Sequence, residues 1–352
     1  MNIRPFHGFA LLSLGIAGAC ATVPPLAITG DPAVSVTAVA ETPPVGTPNE
    51  DAADDPAIWR NPANPAASLI VGTDKKAGLY VYDLKGVQKS FLPTPGLNNV
   101  DLVELGDGTI VVTASDRGDL ANGQMFLALL DRATGTLTPA GKVAVGPGEA
   151  YGICIDKPAS GTVPSASFTV FNTPKNGVIY RTVVTRGSAG FAGTTTTLAT
   201  VPTQPEGCIA DPRTGMLYIG EEDAGLWAIN TATGVKKLVA PIDNKLLVAD
   251  LEGLAMAPEG ADGGYLVGSS QGDNAYAVWR LPDLTPVGRF RIAAGTFGST
   301  EETDGIELDN RDFGPDFPRG IFIAQDGVNP PKAQNFKYAR WDAILAALGE
   351  RQ

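Results

Sequence analysis

The chain has 352 residues, 43% of them hydrophobic, enough to bury a large core in one domain or two. Its 42 glycines and 28 prolines fall between short apolar runs rather than in one tract, a texture that fits a turn-rich β architecture and disfavours helical bundles. A formal net charge of −12 excludes the basic footprint by which proteins bind nucleic acid.

The chain opens on MNIRPFHGFALLSLGIAGACA, in which Arg4 precedes an apolar run from Phe9 to Ile16 and small residues lead to Cys20. This pattern predicts an export signal over residues 1–20 that is no part of the fold. Ala17-Gly18-Ala19-Cys20 also resembles a lipobox, so plain secretion and lipid attachment at Cys20 are both open. Either way the protein is expected to leave the cytoplasm for the periplasm, the outer membrane or the medium, with a lipid on Cys20 as its one membrane contact. Loss of residues 1–19 removes Arg4 and no acid, moving the charge from −12 to −13. Residues 21–49, rich in Pro, Thr and Ala, read as a tether, with AVSVTAVA at 33–40 as a candidate strand.

From Asp54 a repeat emerges: DDPAIW at 54, NVDLVE at 99, AYGICI at 150, PEGCIA at 205, LEGLAM at 251 and TDGIEL at 303. Aligning Pro56, Val100, Gly152, Gly207, Gly253 and Gly305 gives spacings of 44, 52, 55, 46 and 52 residues, a period of repeat architectures. Each unit adds two apolar runs flanking a polar, glycine-containing turn, as in SLIVGTDKKAGLYVYDLKG from Ser68. A unit of about fifty residues holds roughly four strands, so six units over residues 50–352 predict an all-β, six-bladed β-propeller. The last unit is short, and the strand at 33–40 is expected to complete it and close the ring. Trp341, Ile344, Leu345 and Leu348 follow helical spacing and predict a short terminal helix.

The only histidine, His7, lies in the export signal. A mature chain without imidazole excludes Ser-His-Asp hydrolysis, histidine phosphatases and His-ligated zinc. No cysteine-phosphatase loop, P-loop or GxGxxG fingerprint occurs. Cys154 and Cys208 are two buried thiols or one disulfide, and their strand-like flanks, GICI and GCIA, favour free thiols.

In a propeller, equivalent positions of the innermost strands converge on one mouth of the channel. Asp54, Asp55, Asp101, Glu149, Glu206, Asp250, Glu252 and Asp304 sit at or just before the starts of the repeated runs. Two carboxylates 4 Å apart repel by roughly 4 kcal/mol at an effective dielectric near 20, so such a ring calls for bound cations. Oxygen-only ligation selects calcium or magnesium, and irregular spacing favours several calcium ions. The second-half turns carry Lys75, Lys76, Arg117 and Lys175, an arc suited to an anion with several phosphates.

These segments resemble the β-propeller phytases over almost all of residues 41–345. The resemblance rests on DDPAIW with IVGTDKKAGLYVYDL, LNNVDL at 97, EAYGIC at 149, QPEGC at 204, LYIGEEDAGLW at 217, DLEGLAM at 250, YLVGSSQGDNAYAVW at 265, TDGI at 303 and GIFIAQDG at 320. It implies a monomeric, calcium-dependent phosphatase that hydrolyses calcium phytate (myo-inositol hexakisphosphate) by attack of metal-activated water. By motif, Glu206, Glu221, Glu222, Asp250, Glu252 and Asp304 would hold catalytic calcium, with Asp101 a further metal ligand. Lys75, Lys76, Arg117, Tyr151 and Lys175 would bind phosphate oxygens. Asp51, Asp55 and Asp326 would hold calcium for stability. Asn176 departs from the family, which carries an acid after the lysine. A calcium-dependent lactonase and a non-enzymatic binding propeller are the competing readings; the first lacks a Lys and Arg arc, and the second does not require the carboxylates of Glu221, Glu222 and Asp223.

Overall fold

The computed structural model describes residue 1 and residues 28–157 and 166–350. The expectations for the export signal and Cys20 lie outside the described residues. The described strands form six sheets, one of five strands and five of four, each hydrogen-bonded in order from the channel outward. The chain is a six-bladed β-propeller. The innermost strands are Ala53–Trp59, Leu97–Glu104, Gly152–Ile155, Pro205–Asp211, Leu251–Glu259 and Ile306–Asp309, one for each repeated run.

Blades pack face to face, so inner strands are buried on both sides and read as near-continuous apolar runs. Ala53–Trp59 is buried throughout, whereas the outer strand of the same blade, Gln88–Pro93, is mostly exposed. Ala57, Val71 and Val81 of blade 1 meet Val100, Leu102 and Val112 of blade 2 in one cluster, and comparable clusters lie between other blades. The terminal helix Trp341–Ala347 forms as its spacing predicts. Its Trp341, Ile344 and Leu345 are buried with Tyr265 and Phe290 of blade 5.

Ring closure differs from the expectation. The segment at 33–40 is not one strand of the last blade but a strap across two blades. Val34–Thr37 adds a parallel fifth strand to blade 5, pairing Val34 with Phe290, and Ala40–Glu41 pairs with Asn335–Arg340 of blade 6. Blade 6 has its own third strand in Asn335–Arg340, a run that Lys337 and Arg340 make look polar. Lys337 is nevertheless fully buried, because its ammonium meets Asp326 at 2.7 Å and Glu41 at 3.1 Å.

Cys154 and Cys208 form a disulfide, which corrects the preference for free thiols. They lie on the inner strands of blades 3 and 4, with Cα atoms 5.7 Å apart. Each alone reads as a small buried hydrophobe. Their separation of 54 residues is close to one repeat, and the repeat is what sets them side by side.

Candidate active site

The strand ladders correct the repeat alignment by one residue in the first two blades. Pro56 pairs with Gly72 and Val100 with Ala114, the same rung as Cys208 with Ile219 and Leu254 with Gly268. The residues equivalent to Gly152, Gly207, Gly253 and Gly305 are therefore Asp55 and Asn99. In blades 1, 2, 4 and 5 the register breaks just before this rung, between Ala53 and Pro56, Leu97 and Val100, Pro205 and Cys208, and Leu251 and Leu254. The break lets one residue per blade turn toward the channel. The resulting lower tier is Asp54, Asn98, Tyr151, Glu206, Glu252 and Asp304. Close approach of the inner strands explains the glycines that follow: a Cβ at Gly207 would lie 2.1 Å from the carbonyl oxygen of Glu252.

An upper tier comes from the turns after the second strands. The backbone N–H groups of Lys75, Arg117, Lys175, Glu222 and Gln271 donate to Ala52, Gly96, Glu149, Gln204 and Asp250, equivalent carbonyls in blades 1 to 5. One backbone bond thus aims five side chains at one mouth. The cations all stand on blades 1 to 3, paired there with Asp51, Asp54 and Glu149, and Glu206, Glu222, Glu252 and Asp304 stand on blades 4 to 6.

On the cationic side Lys75 Nζ lies 2.8 Å from Asp51, 3.0 Å from Asp54 and 3.2 Å from Asp304. Burial pulls its pKa down, but Asp54, Asp304 and Asp51 outweigh burial and raise it, so the ammonium stays charged. Arg117 donates to Asn98 Oδ1 at 2.8 Å and pairs with Glu149, and Asn98 Nδ2 donates to Glu206 at 2.8 Å. Lys175 Nζ stands 4.2 Å from the Tyr151 ring centroid and 3.9 Å from Glu149. Burial, then the charges of Glu206 and Glu252, push the Tyr151 phenol up, which keeps it a neutral donor.

On the acidic side Glu206, Glu222 and Glu252 place carboxylate oxygens within 4.8 Å of one another, a group that could hold a metal ion. Burial, followed by the charge of Asp54, pushes Glu206 up to about 7. Burial and the charge of Glu206 hold Glu252 well above the usual carboxylate range, and burial does the same for Asp304. Burial also raises Glu222 and Asp250. Glu252 Oε2 is buried with no hydrogen-bond partner, as are both Asp54 oxygens apart from the Lys75 ion pair. Clustered, under-satisfied, all-oxygen donors fit a hard divalent cation.

The mouth therefore brings together Lys75, Arg117, Tyr151, Lys175, Glu206, Glu222, Glu252 and Asp304, with Asp51 on Lys75 and half-buried Asp250 beside the turn of Gln271. Lys76 is half-exposed next to Lys75 and lies 3.9 Å from Glu50. Glu221 turns into blade 4, where it accepts from Thr203 Oγ1 at 2.6 Å and Trp227 Nε1 at 2.7 Å. Asp55 and Asp101 lie below the mouth along the channel, accepting from Val100 N at 3.0 Å and Ile155 N at 2.8 Å. Lys157 Nζ sits 2.7 Å from Asp101. Asp326 is held by Lys337 on the blade 6 turn. Asn98 and Gln271 carry no charge and so escape a search for acids and bases, whereas Asp54 stands in the acidic ring that the sequence predicts. Shifting the inner-strand register by one residue in blade 2 picks out Asn98, and aligning the turn position of Lys75 across the blades picks out Gln271.

The family model described as phytase matches residues 9–352. The chain belongs to the phytase family. A 3-phytase of Bacillus subtilis (strain 168) is 35% identical over 334 residues, covering 90% of this chain and 86% of that one. Among the segments that build the two tiers in this phytase family member, blade 3 carries Asn176, whose Nδ2 donates to Pro147 O at 3.1 Å and braces the loop before Glu149.

Proposed function

We propose that the chain is an exported, monomeric, calcium-dependent phosphomonoesterase that hydrolyses phytate to lower inositol phosphates and phosphate. The observation that carries this reading is the polarity of the mouth, with Lys75, Arg117 and Lys175 facing a carboxylate group across the channel. Phosphate monoesters carry two negative charges near neutral pH and need charge-assisted donors to be gripped. Lys75, Arg117 and Tyr151 supply such donors, and Lys175 extends the arc toward solvent. Glu206, Glu222, Asp250, Glu252 and Asp304 would hold several calcium ions. Bound calcium would offset phosphate charge and lower the pKa of a water it holds.

The protein residues themselves orient rather than react. Asn98 links the phosphate-binding Arg117 to Glu206, so the anion grip and the acidic group share one hydrogen-bonded frame. No imidazole or free thiol is at hand as nucleophile, because the two cysteines of the propeller are joined. A disulfide of this kind persists in oxidising compartments, which supports export. Phosphate release from phytate, measured with excess calcium and after exhaustive chelation, tests the reading. Full activity in chelator would overturn it.

A further inference from the structure

Lys337 is fully buried where the N-terminal strap meets blade 6, and it belongs to neither tier of the mouth. Its ammonium has three protons to donate, and three oxygens accept them: Asp326 Oδ2 at 2.7 Å, Asn335 Oδ1 at 2.9 Å and Glu41 Oε2 at 3.1 Å. Two carboxylates and an amide carbonyl converging on one buried point are the ligand types that a hard cation takes. We propose, independently of what the mouth binds, that Lys337 is a tethered cation standing where the resemblance would put a stability calcium on Asp326. This joint then holds no metal ion, and the strap closes onto blade 6 without calcium.

Strand register builds the cage. Glu41 of the strap pairs with Lys337, and Asp326 pairs with Asn335 on the neighbouring strand of blade 6. Asn335 and Lys337 are two residues apart on one strand and so share a face. Asn335 Nδ2 donates to Thr42 O at 3.0 Å and to Glu41 Oε2 at 3.3 Å, while Asp326 Oδ1 accepts from Glu301 N at 3.2 Å. The oxygens are therefore held in place by groups other than the lysine. The stem of Lys337 packs beside Gly298, where an added Cβ would lie 3.4 Å from Lys337 Cε.

Electrostatics and space both turn a metal away from these oxygens. A calcium ion on them would sit beside the ammonium, and like charges repel strongly where water is excluded. The stem also fills the room that the further oxygen ligands of calcium would need. An ion held by mass action leaves when free calcium falls, whereas a lysine is present at any calcium concentration. The closure between strap and blade 6 is thereby separated from the calcium supply.

The test uses the full chain as wild type, Asp326→Asn and Lys337→Ala, each dialysed against excess calcium, with bound calcium per chain counted by atomic emission. Asp326→Asn should keep the wild-type count. Lys337→Ala, with the ammonium gone and the oxygens left, should bind one calcium more than wild type. In chelator its melting temperature should lie below that of wild type, and calcium should raise it by more than it raises wild type. Its kcat for phytate at saturating calcium should match wild type, which would put the added ion outside the mouth. Loss of a calcium in Asp326→Asn, or no gain in Lys337→Ala, would overturn the proposal. A Lys337→Ala chain that folds only in calcium would support it, and if that chain folds in neither condition the count in Asp326→Asn decides. Ions at the mouth cancel in both differences, so full phytate turnover by chelated wild type would overturn the calcium reading of the mouth and leave the tethered cation standing.

Discussion

Replacing Glu206 by Gln removes one negative charge from the most buried part of the mouth while keeping size and hydrogen bonding. Glu206 is 3% exposed, and burial and the charge of Asp54 outweigh the opposing pull of Lys75. Its carboxyl is pushed up to about 7, against an ordinary 4.5. A carboxyl raised in the folded state binds its proton more tightly there than in the unfolded chain. The calcium-free protein is therefore favoured at low pH and loses that stability as pH rises from the unfolded value through about 7. The difference between 4.5 and about 7 corresponds to about 3 kcal/mol at pH 8. For a domain of this size that is about 5 °C in melting temperature. Glu206→Gln should thus raise the melting temperature of the chelated protein at pH 8 by a few degrees and leave it little changed at pH 4. The same substitution should lower phytate turnover at least tenfold at saturating calcium, about 1.4 kcal/mol of transition-state stabilisation. Scanning calorimetry at the two pH values, with phosphate-release kinetics alongside, reads both effects. A chelated variant no more stable than wild type at pH 8, with turnover unchanged, would refute the reasoning.

Reduction of the Cys154–Cys208 disulfide, or the double alanine variant, should destabilise the protein by about 4 kcal/mol, the loop-closure entropy for a 54-residue separation. Equal melting temperatures of the oxidised and reduced chains would contradict this. Arg117→Ala should raise KM for phytate and lower turnover without a large loss of stability, since the side chain is about a quarter exposed and bonds only Asn98 and Glu149 among the described residues. Asp262→Asn, in an exposed turn away from both tiers, should leave the same kinetics unaltered.

The repeat spacing, the apolar runs and the glycine-containing turns were enough to predict six blades, because a propeller builds each sheet from one contiguous stretch of chain. The acids and bases of the mouth were legible for the same reason: equivalent positions in a repeat meet at one end of the channel, so register along the sequence becomes proximity in space. What sequence could not supply was anything depending on a contact between blades or on a shift of one residue. Nothing in the sequence around Lys337 marks a buried ammonium, and only its blade places it between Asp326 and Glu41. Cys154 and Cys208 looked like separate apolar residues until adjacent inner strands brought their Cα atoms within 5.7 Å. The register breaks that turn Asp54 and Asn98 into the channel leave no mark in composition, because they are set by strand pairing. Glu221 and Glu222 are neighbours of the same type, yet Glu221 ends its strand facing into the blade and Glu222 opens the turn aimed at the mouth. Sequence specified which charges the site contains; pairing of strands and packing of blades decided which of them face one another.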